Sequence, residues 1–377
     1  MDVFEIHKRK TGKIEVNSTV EVNDRETLSN IYTPNVGKIC MEIKDKPETV
    51  RDYTMAGKMI AVISDGTAVL GFGDIGPAAA LPVMEGKCVI FKEFAGLNAF
   101  PLCLSEKDPE EIIKTVKRLA VNFAAINLED ISAPRCFEIE SRLNDELDIP
   151  IVHDDQHGTA IVTLAALMGA IKLTGKEKVK IVVSGAGAAG NAITKLLVAA
   201  KDEISIGDIG IYDSKGLVAS DRSDLDKYKM ELAKITGQEK TKSIKEGMVG
   251  ADIFIGVSVA NAIDIEMVKS MNENSIVFAM ANPTPEIMPD EAIRGGALIV
   301  ATGRSDIPNQ INNALAYPGV FKGLLEMKAN KITTEMKLLA AKAIYEYNLN
   351  QLSNVQLLPS ILDKKVPGII AQALQRK

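Results

Sequence analysis

The stretch Val182–Gly190, which reads VVSGAGAAG, indicates the fold of the second half of this chain. Its glycines follow the pattern G-x-G-x-x-G directly after an apolar run, and residues 191–200 can continue as a helix. In this arrangement the backbone N–H groups and the positive end of the helix dipole face a pyrophosphate. Asp213 follows at about the 20-residue spacing at which an acid binds the adenosine ribose hydroxyls. The predicted dinucleotide site therefore comprises Gly185, Gly187, Ala188, Ala189, Gly190 and Asp213.

The rest of the chain agrees with this interpretation. After the loop, apolar runs such as IGIYDS, ADIFIGVSV and ALIVATG alternate with helical stretches, which is typical of βαβ units in a doubly wound parallel sheet. The earlier residues mix helices with short strands in a different rhythm. We predict an α/β fold of two domains: an N-terminal α/β substrate and dimer domain over residues 1–155, and a Rossmann-type NAD(P)-binding domain over residues 156–377. Helices after Pro318 are expected to pack back onto the first domain.

A second glycine-rich loop, Val69–Gly76 (VLGFGDIG), matches the same pattern but lacks its context. It runs directly into Pro77, with Pro82 soon after, and no acid stands at the ribose spacing. Because glycines also permit a close approach of the backbone to a ligand or another element, we assign the loop that role. It leads to Lys87 and then to CVIFKEF, which we interpret as a strand. Lys87 is a candidate active-site lysine, whereas a solvated lysine is the commoner case.

Two pairs of adjacent acids are candidates for a metal site. Glu129 and Asp130 follow a helical run, and Asp154 and Asp155 follow the strand-like Ile149–Val152. Adjacent acids in such positions repel each other unless a cation lies between them, and oxygen ligands select Mg²⁺ or Mn²⁺. Two solvated turns remain the alternative. A zinc site through the histidines of HDDQH is disfavoured, because Asp replaces the Glu of H-E-x-x-H and the segment leaves a strand.

Composition limits the class of protein. The chain has 377 residues, enough for two domains, with a net charge of −6 and a pI near 5.4. No run of Lys and Arg interleaved with aromatic residues is present, so we expect no nucleic-acid partner. The N-terminus lacks the apolar core of a signal peptide, and no segment offers about 18 consecutive apolar residues. We expect a cytoplasmic protein with no membrane partner.

Several long motifs resemble those of the malic enzymes in their short microbial form, in the same order and over nearly the whole chain. They are YTPNVG (residues 32–37), SDGTAVLGFGDIGPAAALPVMEGK (64–87), NLEDISAPRCFEIE (127–140), HDDQHGTA (153–160), SGAGAAG (184–190), ANPTPEI (281–287) and ATGRSDIPNQINNALAYPGVFKG (301–323). The resemblance implies oxidative decarboxylation of L-malate to pyruvate and CO₂, with NAD(P)⁺ and a divalent metal ion. It also implies a homodimer or a larger homo-oligomer.

The resemblance implies a role for each matching residue. Lys87 corresponds to the general base of the family, Tyr32 to its general acid, and Asp154 to the acid that orients the lysine. Asn282 and Asn313 correspond to amides that bind substrate or nicotinamide. The metal carboxylates correspond to Glu129, Asp130 and Asp155.

Two positions depart from the family pattern, and the choice of cofactor depends on a third. Asn35 stands where Gly or Ala is usual, and Ala68 stands where larger relatives carry an arginine that binds a substrate carboxylate. Asp213 opposes a ribose phosphate by its charge and therefore favours NAD. Lys215, two residues further on, could pair with that phosphate, so NADP remains possible.

Three other interpretations stay open from the sequence. A malolactic-type enzyme would keep the cofactor and release lactate. Another two-domain Rossmann dehydrogenase, such as an amino-acid dehydrogenase, would need no carboxylate triad. A non-catalytic nucleotide sensor would have no need of intact Tyr32, Lys87 and matching acids. Dependence on Mn²⁺ or Mg²⁺, the product, and turnover itself separate these classes.

Overall fold

The structure is a computed structural model that describes residues 2–9, 11–201 and 203–376. Its first sheet has four strands. The strands are β1 (Met59–Ser64), β2 (Asn98–Cys103), β3 (Ala125–Leu128) and β4 (Ile151–His153). All pairs are parallel, in the order β2-β1-β3-β4. Every residue of β3 and β4 is buried, which is typical of parallel strands covered by helices on both faces.

The second sheet has six strands in the order β10-β9-β8-β5-β6-β7. They are β5 (Val179–Ser184), β6 (Ile206–Asp213), β7 (Gly216–Leu217), β8 (Ile253–Gly256), β9 (Ser275–Ala279) and β10 (Ala297–Thr302). All neighbours are parallel except β7, which pairs antiparallel with the end of β6. The strand order reverses beside β5, and a dinucleotide binds at this point in a doubly wound sheet. The predicted α/β fold with a Rossmann-type sheet is confirmed.

Helices connect and cover these strands. In the N-terminal half they are α1 (Val3–Lys8), α2 (Arg25–Ile31), α3 (Val36–Asp45), α4 (Val50–Tyr53), α5 (Pro77–Ala95), α6 (Pro109–Leu119) and α7 (Arg135–Glu146). From the end of β4 onward they are α8 (Asp154–Thr174), α9 (Ala188–Ala199), α10 (Lys227–Thr236), α11 (Ile244–Met248), α12 (Ile265–Lys269), α13 (Pro289–Arg294), α14 (Tyr317–Glu326), α15 (Thr334–Asn348) and α16 (Val366–Leu374).

The segment CVIFKEF is helical, so its interpretation as a strand is wrong. It lies inside α5, whose buried positions include Met84, Lys87, Cys88 and Phe91, and these recur at helical spacing along one face. The apolar run is continuous because the neighbouring faces of the helix are also partly buried. The helix begins at Pro77, where the missing N–H costs no intrahelical bond. A helix therefore does follow the first glycine-rich loop.

The glycines of that loop serve a close approach between two parts of the backbone. A Cβ atom at Gly71 would overlap the carbonyl oxygen of Asn282, and a Cβ atom at Gly66 would overlap the carbonyl oxygen of Gly76. Only a residue without a side chain fits such contacts. The loop therefore packs against the N-P-T segment at the carboxyl end of β9, as the sequence led us to expect of clustered glycines.

The C-terminal helices pack back onto the first half of the chain, as predicted. Tyr317 and Phe321 on α14 contact Phe91 on α5 edge to face, with ring centroids 4.7 Å and 5.1 Å apart. Such pairs contribute about 0.5–1.5 kcal/mol each beyond the area that they bury. The contact brings α14 directly over the helix that carries Lys87.

Helix α8 is the central helix of the core. Fourteen of its residues are buried, and apolar ones pack with both sheets. By length and mean hydropathy alone it could cross a membrane, although 67% of its apolar window is buried within the protein. Its first residues, Asp154 and Asp155, are the acids of the HDDQH motif. These features are those of a core helix that carries polar groups at one end.

Candidate active site

The topology of the first sheet brings the two acidic pairs together. Glu129 and Asp130 follow β3 directly, and Asp154 and Asp155 open α8 directly after β4. Because β3 and β4 are parallel neighbours, their carboxyl ends meet at one edge of the sheet. Four acids separated by about 25 residues in the chain therefore surround one site.

Lys87 reaches this site from α5. Its side chain is 9% exposed, and its Nζ lies 2.7 Å from Asp154 Oδ2 and 2.7 Å from Glu129 Oε1. A buried lysine is rare unless it is paired, so the interpretation of Lys87 as a solvated side chain is wrong. Instead the structure places a primary amine between an acid of β3 and an acid of α8.

Three of the carboxylates form a cluster with the geometry of a cation site. One oxygen from each of Glu129, Asp130 and Asp155 lies within 4.8 Å of the others. The backbone at Asp130 adopts φ 53°, and its N–H donates to Asp155 Oδ2 at 2.9 Å. Asn127 Nδ2 donates to Glu129 Oε2 at 2.8 Å. Among the described residues, the buried Asp130 Oδ2 has no hydrogen-bond partner.

The pKa values of these acids are shifted in the direction expected for crowded carboxylates. Burial is the largest effect, and together with the charges of Asp155 and Glu129 it raises the pKa of Asp130 to about 9. Burial also raises the pKa values of Glu129 and Asp155, although the charge of Lys87 opposes both shifts. A divalent cation would remove this repulsion, and three carboxylates are a ligand set that suits Mg²⁺ or Mn²⁺. The residues present therefore fit such an ion.

The ammonium of Lys87 is held in its charged form by the same acids. Burial lowers the pKa of Lys87, but the charges of Asp154 and Glu129 outweigh burial and raise it well above its ordinary value. Burial raises the pKa of Asp154 to about 6, against the effect of Lys87. The charge state of the lysine is therefore coupled to the total negative charge of the acids around it.

Tyr317 is a neighbour of Lys87 that sequence reasoning did not identify. The Nζ atom lies 4.3 Å from the centroid of the Tyr317 ring, and the hydroxyl donates to the backbone carbonyl of Lys87 at 3.4 Å. A cation over an aromatic face is stabilised by the ring quadrupole. The two residues are 230 positions apart in the chain, so no local pattern links them.

Glu140 holds the HDDQH segment from behind, and it was also missed. Its Oε1 accepts from the backbone N–H of His153 at 2.8 Å and lies 2.8 Å from His157 Nε2, while its Oε2 accepts from Gln156 Nε2 at 3.0 Å. Burial would raise the pKa of Glu140, but His157 and the other partners lower it, so the carboxylate is ionised. The sequence signal that could have identified Glu140 is a charged residue at a buried position of α7. Both histidines lie outside the candidate cation cluster found among the described residues.

The predicted dinucleotide loop has the expected geometry. Gly185 has φ 108°, and a Cβ atom at Gly190 would overlap the carbonyl oxygen of Gly185. Helix α9 begins at Ala188, so its amino end lies at the loop. A cavity of about 500 Å³ adjoins it and is lined by Gly185, Gly187, Asp213 and Ser214, among others. The loop therefore has room for a nucleotide beside the end of β6.

Both carboxylate oxygens of Asp213 accept hydrogen bonds from basic residues. Its Oδ1 accepts from Arg222 Nη1 at 2.8 Å and from the Lys215 N–H at 2.9 Å, while its Oδ2 accepts from Arg222 Nη2 at 3.1 Å and from Lys229 Nζ at 2.7 Å. Burial raises the pKa of Asp213, but these bonds outweigh it and lower the value to about 2. The side chain of Lys215 pairs with Asp224 at 2.7 Å.

The two predicted amides lie at the edge of the site. Asn282 follows β9 and contacts the first glycine-rich loop at Gly71. Asn313 and Asp154 both lie against Gly158, where an added Cβ atom would contact each of them. Asn313 is partly buried, whereas Asn282 is exposed.

Tyr32 is not brought to this site within one chain. It directly follows α2, its side chain is 67% exposed, and no hydrogen bond of its hydroxyl is present among the described residues. The structure thus assembles Lys87, Asp154 and the three other carboxylates but leaves Tyr32, the predicted general acid, at the surface.

Ala68 offers no cation in place of the arginine of larger relatives, and its N–H donates to Asp130 O at 2.9 Å.

Comparison with known proteins agrees with the geometry. Family models match residues 11–144, as the N-terminal domain of malic enzyme, and residues 156–375, as the NAD-binding domain of malic enzyme. A bifunctional malic/malolactic enzyme of Bacillus subtilis is 50% identical over 100% of this chain and 92% of its own length. An NAD-dependent malic enzyme of Geobacillus stearothermophilus is 50% identical over 96% of this chain and 76% of its own length.

A solved structure leads to the same conclusion. The crystal structure of an NAD-dependent malic enzyme from Thermotoga maritima superposes with a TM-score of 0.94 at 45% identity, covering 100% of this chain and 99% of the other. The two family models together span most of the chain. The chain therefore belongs to the malic enzyme family, a family of NAD(P)-dependent oxidoreductases.

Proposed function

We propose that this protein oxidatively decarboxylates L-malate to pyruvate and CO₂, with NAD(P)⁺ as hydride acceptor and Mg²⁺ or Mn²⁺ as metal ion. The observation that carries the proposal is the buried pair between Lys87 and Asp154, next to three carboxylates whose oxygens converge within 4.8 Å. A base beside a cation site suits the removal of a proton from the hydroxyl of a 2-hydroxy acid.

Lys87 is the proposed general base, and Asp154 is the proposed positioning residue. To accept the hydroxyl proton, the amine must first be neutral. The charges of Asp154 and Glu129 outweigh burial and hold the pKa of Lys87 high. A divalent cation at the carboxylates would offset part of that negative charge, so we expect the pKa of Lys87 to fall when the metal site is filled. Asp154 would keep its contact and fix the direction of the amine.

Glu129, Asp130 and Asp155 are the proposed metal ligands. The support is their convergence, the raised pKa values and the unpartnered Oδ2 of Asp130. When bound, the ion supplies Lewis-acid stabilisation of the negative oxygen charge that develops as CO₂ leaves. Glu140 contributes indirectly, because it fixes the segment from which Asp155 projects.

We further propose that the protein acts as a homodimer in which Tyr32 of one protomer completes the site of its partner. Among the described residues, helices α1, α2 and α3 contain no buried side chain. These helices, the segments that join them and the first glycine-rich loop expose many apolar side chains, and patches of this kind mark interaction surfaces. The largest include Phe4, Val16, Tyr32, Met41, Leu70 and Phe72. Tyr32 would then protonate the carbon of the enolate left by decarboxylation, since its phenol hydroxyl is a proton donor.

NAD⁺ is the proposed cofactor. The carboxylate of Asp213 lies at the carboxyl end of β6, where it opposes a ribose phosphate by charge. Lys229, the more exposed of its two basic side-chain partners, would give way to the ribose hydroxyls. Arg222, Lys215 and Lys229 place positive charge nearby, and this supports weaker use of NADP⁺ as well.

Malolactic conversion is a second candidate, favoured by one specific observation. The Bacillus subtilis relative, named as a bifunctional malic/malolactic enzyme, matches this chain over its full length at 50% identity. In that reaction the cofactor would be reduced and reoxidised in place, and lactate would leave. The same lysine, acids and dinucleotide loop would serve both routes.

Metal removal tests the proposal directly. The protein is treated with a chelator, exchanged into metal-free buffer, and mixed with L-malate and NAD⁺. We expect no reduction of NAD⁺ until Mn²⁺ or Mg²⁺ is added, and an Asp155→Asn variant that requires far more Mn²⁺. Full turnover in the presence of chelator would remove the metal from the mechanism.

A further inference from the structure

A second cavity lies apart from the dinucleotide loop, and the proposed reaction gives it no role. It has a volume of about 470 Å³ and lies between α7, the start of α8, α9, α10 and the start of α15. Phe137 and Tyr228, whose ring centroids are 4.6 Å apart, line this cavity and the nucleotide cavity alike. Its size is within the range of sites that bind small molecules, which is about 300–1,000 Å³.

The cavity is lined by hydrogen-bond donors that have no acceptor. Asn191 is 3% exposed, and its Nδ2 atom has no partner among the residues that the structure describes. Lys337 lines the same cavity, and in the described part of the chain no carboxylate oxygen lies within 4.0 Å of its Nζ. Buried donors are nearly always satisfied in folded proteins, so the unpaired amide of Asn191, at the same cavity as a half-buried lysine without a carboxylate contact, indicates a missing acceptor.

The charges around the cavity leave a positive excess. Its acids are Glu140, which is engaged by His157 and Gln156, and Glu231, which pairs with Lys195 at 2.7 Å. Lys337 has no such partner, and Lys331 at the rim adds a further positive charge. Three lysines and two acids line the cavity, and Glu140 acts on Lys337 only from beyond 4.0 Å, so an anion that enters would meet an excess of positive charge.

The remaining wall favours an organic ligand over a bare ion. Leu196 and Ile332 supply apolar surface, and the rings of Phe137 and Tyr228 close one side. Asn144 Oδ1 is buried without a partner among the described residues, so a hydroxyl on the ligand would also find an acceptor. Sites of this kind combine apolar walls with a few polar groups that fix the orientation of the ligand.

We propose that this cavity binds a small organic anion whose carboxylate or phosphate group is held by Lys337 and Asn191. The site is separate from Lys87 and from the glycines of the dinucleotide loop. Binding there is independent of turnover, so it can be measured whether or not malate is the substrate.

Calorimetric titration tests the proposal with two probes, inorganic phosphate and succinate, which represent the two anionic groups. The protein is first saturated with NAD⁺ so that the dinucleotide loop is blocked. We expect saturable binding of at least one probe in the wild-type protein. Lys337→Met should weaken it by about tenfold or more, because a lost charge-assisted hydrogen bond is worth at least about 1.4 kcal/mol.

Two further variants complete the design. Lys342→Met removes an exposed lysine of the same helix and should bind both probes as the wild type does. Lys337→Arg keeps the charge and should retain most of the affinity, which separates loss of the cation from loss of packing. Unchanged NAD⁺ affinity in all three variants verifies the fold. Equal affinity of wild type and Lys337→Met, or saturable binding of neither probe, would overturn the proposal.

Discussion

Lys87 Nζ lies 2.7 Å from Glu129 Oε1, so the proposed base and a proposed metal ligand share one buried ion pair. The same amine lies 2.7 Å from Asp154. Because the two acids compete for the lysine, any cation that binds Glu129 weakens one of the contacts that keep Lys87 charged. Metal binding and activation of the base are therefore a single electrostatic event in this account.

Removal of the amine tests the role of Lys87. We expect Lys87→Ala to lower kcat for malate oxidation by about 10²–10⁴-fold, the contribution typical of general acid–base catalysis, while the Kd for NAD⁺ changes within a few fold. Steady-state kinetics and a cofactor titration measure the two effects. Lys92→Ala is the matched control, since Lys92 lies on the same helix but is exposed. Normal turnover by Lys87→Ala would show that the base lies elsewhere.

Metal affinity should depend on pH through Asp130. Burial and neighbouring acids raise the pKa of Asp130 to about 9, so it is protonated at neutral pH, and a bound divalent cation must expel that proton. Mn²⁺ affinity should therefore rise with pH up to about 9, by at most about tenfold per pH unit for one proton. Calorimetry in buffers of different ionisation enthalpy measures the released proton. A Kd that is constant across this range would contradict the shift.

The raised pKa of Asp130 also determines the direction in which the stability of the metal-free protein changes with pH. The folded-state pKa of Asp130 is above the unfolded value of 3.8, so the folded chain binds more protons between the two values. Without metal, the free energy of unfolding should fall as pH rises through this window, by at most about 1.4 kcal/mol per unit. Saturating Mg²⁺ should reduce the slope. Thermal unfolding in chelator and in Mg²⁺ gives the comparison.

Complementation between inactive variants tests whether Tyr32 acts across a dimer. Tyr32→Phe and Lys87→Ala are co-expressed with different tags. If Tyr32 serves the partner's site, each mixed dimer holds one site with both residues intact, so the unseparated mixture should regain about a quarter of wild-type activity. Purified mixed dimers should reach about half of it. No recovery in purified mixed dimers would place Tyr32 and Lys87 in the same protomer, whereas full activity of Tyr32→Phe alone would place Tyr32 outside the mechanism.

Cofactor preference should change at Asp213. Replacing this residue with serine leaves Arg222 and Lys229 without their shared carboxylate, so both can bind a ribose phosphate. We expect the ratio of kcat/KM for NADP⁺ to that for NAD⁺ to rise by about tenfold or more, which is the value of about one charge-assisted hydrogen bond. Asp208→Ser on the same strand, remote from the glycine-rich loop, serves as control. A fixed ratio would refute a role for Asp213 in discrimination.

The contact between the first glycine-rich loop and Asn282 predicts a steric effect. A Cβ atom at Gly71 would overlap the carbonyl oxygen of Asn282, so Gly71→Ala should cost about 1–3 kcal/mol of stability and raise the KM for malate. Gly368→Ala on α16 is the control, because nothing lies within 4 Å of its added atom and Ala favours a helix. A Tm for Gly71→Ala equal to that of the wild type would mean that the loop moves to accept the methyl group without loss of stability, which would contradict the predicted overlap.

Much of this site could be predicted because it depends on local patterns and simple topology. Asp154 and Asp155 were predicted to follow an apolar strand, and the carboxyl ends of parallel neighbours must meet. The strand β3 before Glu129 and Asp130 was not recognised after the helical run that precedes it. The loop at Gly185–Gly190 carries its own strand, helix and distal acid. In both cases the signal lies within about 30 residues, the length of one βαβ unit.

The parts that sequence reasoning missed depend on distant contacts. The helical period of α5 was hidden because apolar residues occupy more than one face, and CVIFKEF therefore looked like a strand. Tyr317 reaches Lys87 from 230 positions away. The occupation of Asp213 by Arg222 depends on a loop that returns to the end of β6. Such contacts follow from the packed chain, and propensity and periodicity do not encode them.

The most direct test of the central claim is the product balance of one reaction. Wild-type protein is mixed with L-malate, Mn²⁺ and NAD⁺, reduced cofactor is recorded by absorbance, and pyruvate and lactate are assayed in the same samples. We expect one pyruvate for each NADH formed, with Mn²⁺ required. Consumption of malate to lactate without net cofactor reduction, or no turnover with either NAD⁺ or NADP⁺, would contradict this expectation.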